Sequence, residues 1–158
     1  MADFVFNVAK GRANELHDRV NSNDPANSAL IVVLLKVAAA DATLKDQDTL
    51  AAILAGGSTE ADFTNYARKT ITDAGIGASA VDDANDRREA DLTDDPTWVA
   101  AGGASNNTLA KLLVCYDGDT TAGDDSDIVP LTAHDFVVST NGGDIVAQLH
   151  AAGYFRAS

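Results

Sequence analysis

The chain has 158 residues, with 24 acidic against 11 basic side chains and a net charge of −13. That balance repels nucleic-acid phosphates and anionic membrane surfaces, and the only basic doublets are the isolated pairs Arg68-Lys69 and Arg87-Arg88, so a nucleic-acid or membrane-surface partner is excluded. A hydrophobic fraction of 46% with 22% charged residues excludes a disordered chain, and the length fits one domain, 1–158.

Residues 4–20, "FVFNVAKGRANELHDRV", place Phe6, Ala9, Ala13, Leu16 and Val20 at alternating spacings of three and four, which predicts an N-terminal helix with one apolar face. Gly11 weakens that helix by about 1 kcal/mol relative to alanine. Pro25, among Asn, Asp and Ser, predicts a loop after it. "ALIVVLLKV", 29–37, is continuously apolar and β-branched, as a strand buried on both faces requires. With "AAA" the run reaches only twelve residues around Lys36, too short to cross a bilayer. Asp3 stands where an export signal carries basic residues, so synthesis in a cytoplasm is expected.

Leu44, Leu50, Ile53 and Leu54 predict a short helix, capped by Asp48 and stopped by Gly56-Gly57. "YARKTIT" alternates like a strand from about Tyr66. The acid-rich stretch 73–97 predicts a long surface segment with one short strand near "RREADL". "TWVAAGG", "TLAKLLVCYD" and "DIVPLTAHDFVVST" predict further strands, the second of them central. Asn141-Gly142 in "VVSTNGGDIVAQL" predicts a two-residue hairpin turn, and "AAGYFRAS" predicts a last strand anchored by Tyr154 and Phe155. The fold class is therefore α+β: a mainly antiparallel, β-sandwich-like core with an N-terminal helix and one or two further short helices.

Five aspartates, Asp117, Asp119, Asp124, Asp125 and Asp127, fall within eleven residues between two apolar runs. Read as a calcium loop of the EF-hand kind from Asp117, the glycine arrives one position late at Gly123 and Ile128 stands where glutamate is required. The segment reads as a solvated turn, with an irregular divalent-ion site as the alternative. Cys115 is the single cysteine and reads as a small buried hydrophobe, since His17, His134 and His150 are scattered along the chain. His134 and Asp135 are neighbours on a predicted strand, so their side chains point to opposite faces. No nucleophile elbow, zinc-protease or phosphate-loop motif is present, and the chain reads as a non-enzyme without a cofactor.

The fragments "DFVFNVAKGRANELHDRVNSNDPANSALIVVLLK", "TNYARKTITDAG", "TLAKLLVCYD" and "VPLTAHDFVVSTNGGDIVAQLHAAGYFRAS" resemble, in layout and phrasing, small virion proteins of tailed bacteriophages, notably those infecting actinobacteria. The resemblance spans nearly the whole chain and includes no catalytic motif. It implies a structural component of the particle, present as a homo-oligomer and bound to other virion proteins. A tail or fibre-region position is the expectation, with head decoration as the alternative and a host-surface binding module as the second. Phe4, Phe6, Trp98, Tyr154 and Phe155 are the expected packing and assembly residues.

Overall fold

Seven consecutive side chains, Ala29 to Leu35, are buried along β2 (Ala29–Val37), so this strand needs cover on both faces and pairing on both edges. The computed structural model, which describes residues 2–150 and 153–157, shows how both needs are met. On one edge β2 pairs with β8 (Lys111–Asp117) through seven register positions, from Ala29↔Asp117 to Leu35↔Lys111. On the other it meets β3 (Thr59–Glu60) and β4 (Lys69–Ile71). Next to β8 lies β9 (Val129–Asp135), and β1 (Phe4–Val5) closes the far edge. Every pairing in this six-stranded sheet is antiparallel.

Two smaller antiparallel sheets complete the β structure. β5 (Ala80–Asp82), β6 (Arg87–Ala90) and β11 (Phe155–Ala157) form one, with β6 in the middle. β7 (Thr97–Trp98) and β10 (Ile145–Val146) form the other. Helix α1 (Ala13–Asn21) packs against both β2 and β6 and so ties the main sheet to the three-stranded one. The short helices α2 (Asp41–Lys45) and α3 (Leu50–Ala55) follow β2. The chain is α+β with a mainly antiparallel core, as its pattern predicts, and one buried apolar cluster runs from Phe6 to Tyr154. Among the described residues no helix is long and apolar enough to cross a membrane.

Several local expectations need correction. The predicted helix over 4–20 begins only at Ala13: Phe4 and Val5 form β1, Asn7–Ala9 is a single 3-10 turn, and Gly11 takes φ +83°, a left-handed conformation that stops any helix. Phe6, Ala9, Ala13, Leu16 and Val20 are nonetheless all buried, so the periodicity marked the right face over too long a helix. The next helix is two helices, and α3 is capped by Thr49, whose Oγ1 accepts from the Ala52 amide at 3.1 Å, rather than by Asp48. The stretch 73–97 holds a hairpin, β5–β6, in place of one strand.

The largest error is the Asn141-Gly142 hairpin. Gly142 does turn the chain with φ +95°, but its amide donates to the Ala101 carbonyl and the following β10 pairs with β7, more than forty residues back. Glycine-rich 101–103 offered a partner that local turn chemistry does not see. The last strand forms at Phe155–Ala157, with Ala151, Ala152 and Ser158 of that ending outside the described residues.

Leu113 on β8 is fully buried against this core. Leu113→Ala should destabilise the fold by about 2–5 kcal/mol in denaturant titration, against less than about 0.5 kcal/mol for Val99→Ala at an exposed position.

Candidate functional site

The aspartate-rich loop between β8 and β9 binds its own backbone. Asp117 Oδ1 accepts from the Asp119 amide at 3.0 Å, and Asp119 Oδ1 from the Thr121 amide at 3.0 Å and hydroxyl at 2.6 Å. Asp124 Oδ1 accepts from the Ser126 amide at 2.7 Å, and Asp127 Oδ2 from the Asp124 amide at 3.1 Å. These are side-chain turns, the local use to which short acidic residues are suited. The hydroxyl bonds of Thr121 and Ser126 hold Asp119 and Asp124 below the usual carboxylate range. Gly123 takes φ +84°, a left-handed conformation that other residues rarely adopt, and a Cβ there would push on the Asp127 carboxylate, 2.6 Å away.

Asp125 points the other way. It takes two bonds from Arg68, Nη1 to Oδ1 at 2.5 Å and Nη2 to Oδ2 at 2.9 Å. The same guanidinium grips Glu60 through Nε at 2.8 Å and Nη2 at 2.7 Å. Glu60 accepts from the Tyr66 hydroxyl at 2.8 Å, and that hydroxyl in turn accepts the Leu34 amide of β2 at 3.1 Å. A continuous polar chain thus runs from the loop to the central strand. Bonds to both carboxylates raise the Arg68 value, the Arg68 bond lowers that of Asp125, and burial raises that of Tyr66. The loop backbone also receives the first turn of α3, with the Leu50 amide on the Ile128 carbonyl and the Ala51 amide on that of Asp125, both at 2.9 Å. Among the described residues no group of three or more His, Cys, Asp or Glu side chains is placed to hold a metal.

A second polar centre was invisible in the sequence. Lys111, the first residue of β8, has a wholly buried side chain. Its Nζ lies 2.6 Å from Asp135 Oδ1, 3.2 Å from Asp41 Oδ1 and 3.3 Å from the Ala2 carbonyl, and 5.2 Å from the centre of the Phe4 ring. Asp41 also accepts the Ala2 amide at 3.0 Å, a bond that lowers its value first, with Lys111 adding to the effect. Asp3 accepts the Asp135 amide at 2.8 Å. The cation therefore pins the N-terminal segment, α2 and β9 together. A lysine beside an apolar run reads as an edge-of-strand cation. Only the register pair Lys111↔Asp135 reveals its partner.

His134 and Asp135 do face apart: His134 meets Thr132 Oγ1 at 2.9 Å and Asp3 at 3.4 Å, while Asp135 serves Lys111. Cys115 is fully buried on β8 across from Ile31 and Pro130, and burial pushes its thiol up to about 12, protonated at neutral pH. Of the predicted packing residues, Phe6, Trp98 and Tyr154 lie in the chain's own core, whereas Phe4 and Phe155 are half-buried. Trp98 Nε1 donates to the Ala67 carbonyl at 2.8 Å. A cleft of about 450 Å³ runs beside β9 and β11, lined among others by Asp3, His134, Phe136, Leu149 and Arg156. Val99, in the turn just after β7, and Val146 on β10 are exposed, while Trp98 and Ile145 turn into the core.

Comparison with protein-family models, with curated proteins and with solved structures finds no match to this chain.

Lys111→Met should cost about 1.5–3 kcal/mol in denaturant titration, because the partly exposed Asp41 and Asp135 lose the cation between them. A loss below about 1 kcal/mol would remove this centre from the account of how the N-terminal segment is held. Asp41 and Asp125 have depressed values, so their contribution is complete above about pH 4 and is lost as pH falls through their folded-state values. Calcium at millimolar concentration should leave the melting temperature unchanged; a rise of several degrees would show that the 117–127 loop takes the ion.

Proposed function

We propose that this chain is a non-enzymatic structural protein of a tailed-bacteriophage virion, working in several copies in the tail or fibre region and bound to other virion proteins. The observation that carries the reading is the use made of its charged groups. Lys111 and Arg68 each join carboxylates from distant segments, and four of the five clustered aspartates bind their own loop's amides. Such groups hold a shape, which is what a particle subunit must do. The resemblance of four long fragments to small phage virion proteins supports the same role.

Assembly of copies that each carry −13 meets mutual repulsion, so contact must come through apolar surface with the acids left wet. Val99, in the turn just after β7, and Val146 on β10 are exposed apolar side chains that suit that contact. Salt should then favour association by screening the repulsion.

Analytical ultracentrifugation tests this directly. The expected result is a homo-oligomer whose share rises with ionic strength and falls on Val99→Glu with Val146→Glu. A protein that stays monomeric at every salt concentration and binds host cell wall by itself would replace the structural reading with that of a host-surface binding module.

A further inference from the structure

His17 is buried in the joint between α1, the 77–79 segment and the chain's C-terminal end. Its Nε2 lies 2.7 Å from the Gly77 carbonyl oxygen. A carbonyl can only accept, so Nε2 carries the proton of the neutral ring. Its Nδ1, 3.0 Å from the Tyr154 hydroxyl, is then the acceptor, and Tyr154 the donor. The two rings lie 5.7 Å apart, and Tyr154 is itself buried. Tyr154 immediately precedes β11, which among the described residues pairs only with β6 and so is an edge strand. β11 is held by its ladder to β6, with the Tyr154 amide on the Ala90 carbonyl at 3.0 Å and Arg156 4.0 Å from Glu89, by Phe155 packed against the core, and by the Tyr154 side chain moored on His17.

We propose that His17 is an acid-operated latch on the C-terminal strand: its neutral ring moors Tyr154 in the core, and its protonation releases Tyr154 and β11 from β6 while the six-stranded sheet stays folded.

The chemistry of the joint supports this. A proton added at Nδ1 points at the hydroxyl that was donating to it. The Tyr154 hydrogen must turn away, and among the described residues the hydroxyl is given no other acceptor. The new cation also sits out of water. The charged groups that act on it are Asp18 on its own helix, Arg88 on β6 and Asp91 just beyond β6, while the 77–79 segment and Tyr154 present it with a carbonyl and a hydroxyl. Asp18 is already held by the Ser79 amide at 2.8 Å, the Ser79 hydroxyl at 2.9 Å and Arg88 at 2.6 Å, so its charge is largely answered before His17 ionises. Burial outweighs the favourable Gly77 carbonyl and the Asp18 and Asp91 charges, while Arg88 adds to it, and the His17 value falls below its ordinary 6.5. Because the folded value is the lower one, the mooring is complete above about pH 6.5 and weakens as pH falls from there toward the folded value.

Hydrogen exchange of the whole chain between about pH 7.5 and about pH 5.5, corrected for intrinsic rates, reads the latch. The expected result is an opening ratio at Tyr154 and Phe155 that rises by up to about tenfold per pH unit below about 6.5, with the β8 amides unchanged. His17→Gln, a neutral side chain able to donate to Gly77, should abolish that pH dependence. If the variant does not fold, ring NMR of His17 in the unaltered protein decides: its protonation midpoint must coincide with the opening. Opening that persists in His17→Gln, a His17 ring that titrates with no opening, or β8 amides that open together with β11 would each overturn the proposal.

Discussion

A strand that is apolar on both faces dictates the rest of this molecule. Once "ALIVVLLKV" is extended, its seven buried side chains demand cover above and below, and its amides demand a partner on each edge. β8 supplies the longest edge, itself buried from Lys111 to Tyr116, while β3 and β4 divide the other. α1 covers part of β2 and carries the three-stranded sheet on its far side. The peripheral elements are short because they seal this pair of strands rather than build a second core. Their own hold is correspondingly local, and β1, β7 and β10 are paired through two residues each.

Cations are scarce, and their placement follows from that. With 11 Lys and Arg against 24 acids, a cation shared between carboxylates lowers more repulsion than one left in water. Lys111 sits between Asp41 and Asp135, Arg68 between Glu60 and Asp125, and Arg87 between Asp82 and Glu89. The first two join segments far apart in sequence, so charge here fixes tertiary arrangement. Lys111 is the extreme case, since a buried cation is tolerable only with partners of good geometry on every side. The remaining acids leave the surface strongly negative, and exposed large apolar side chains such as Val99 are few.

The sequence made the centre of this fold legible and its periphery less so. β2 and β8 are long, continuous and bounded by turn residues; β2 forms over its expected span, and β8 ends where expected but starts three residues late, at Lys111. The buried stripe of the N-terminal segment was also readable, because burial repeats every three to four residues whether the backbone is a helix or a strand followed by a turn. Its real start was set by the positive φ of Gly11 and by Phe4 pairing with Ala133, a long-range event. The Asn141-Gly142 turn misled for a similar reason: local chemistry bends the chain there, but Trp98, not Val138 or Ser139, lies opposite Ile145. In the acidic loop, the concentration of Asp, Gly, Thr and Ser between two strands foretold a turn, and Arg68 as partner of Asp125 was not foreseeable. Lys111 and His17 escaped notice because a lone lysine or histidine in a helix or strand reveals nothing of what the fold will bring against it.

We propose that this chain is a built-in part of a phage particle. Quantitative mass spectrometry of purified particles, with heads and tails separated beforehand, tests it most directly. The expected result is a small, fixed copy number that travels with the tails. Many copies travelling with the heads would make it a capsid decoration protein, and absence from both fractions would contradict the structural role altogether.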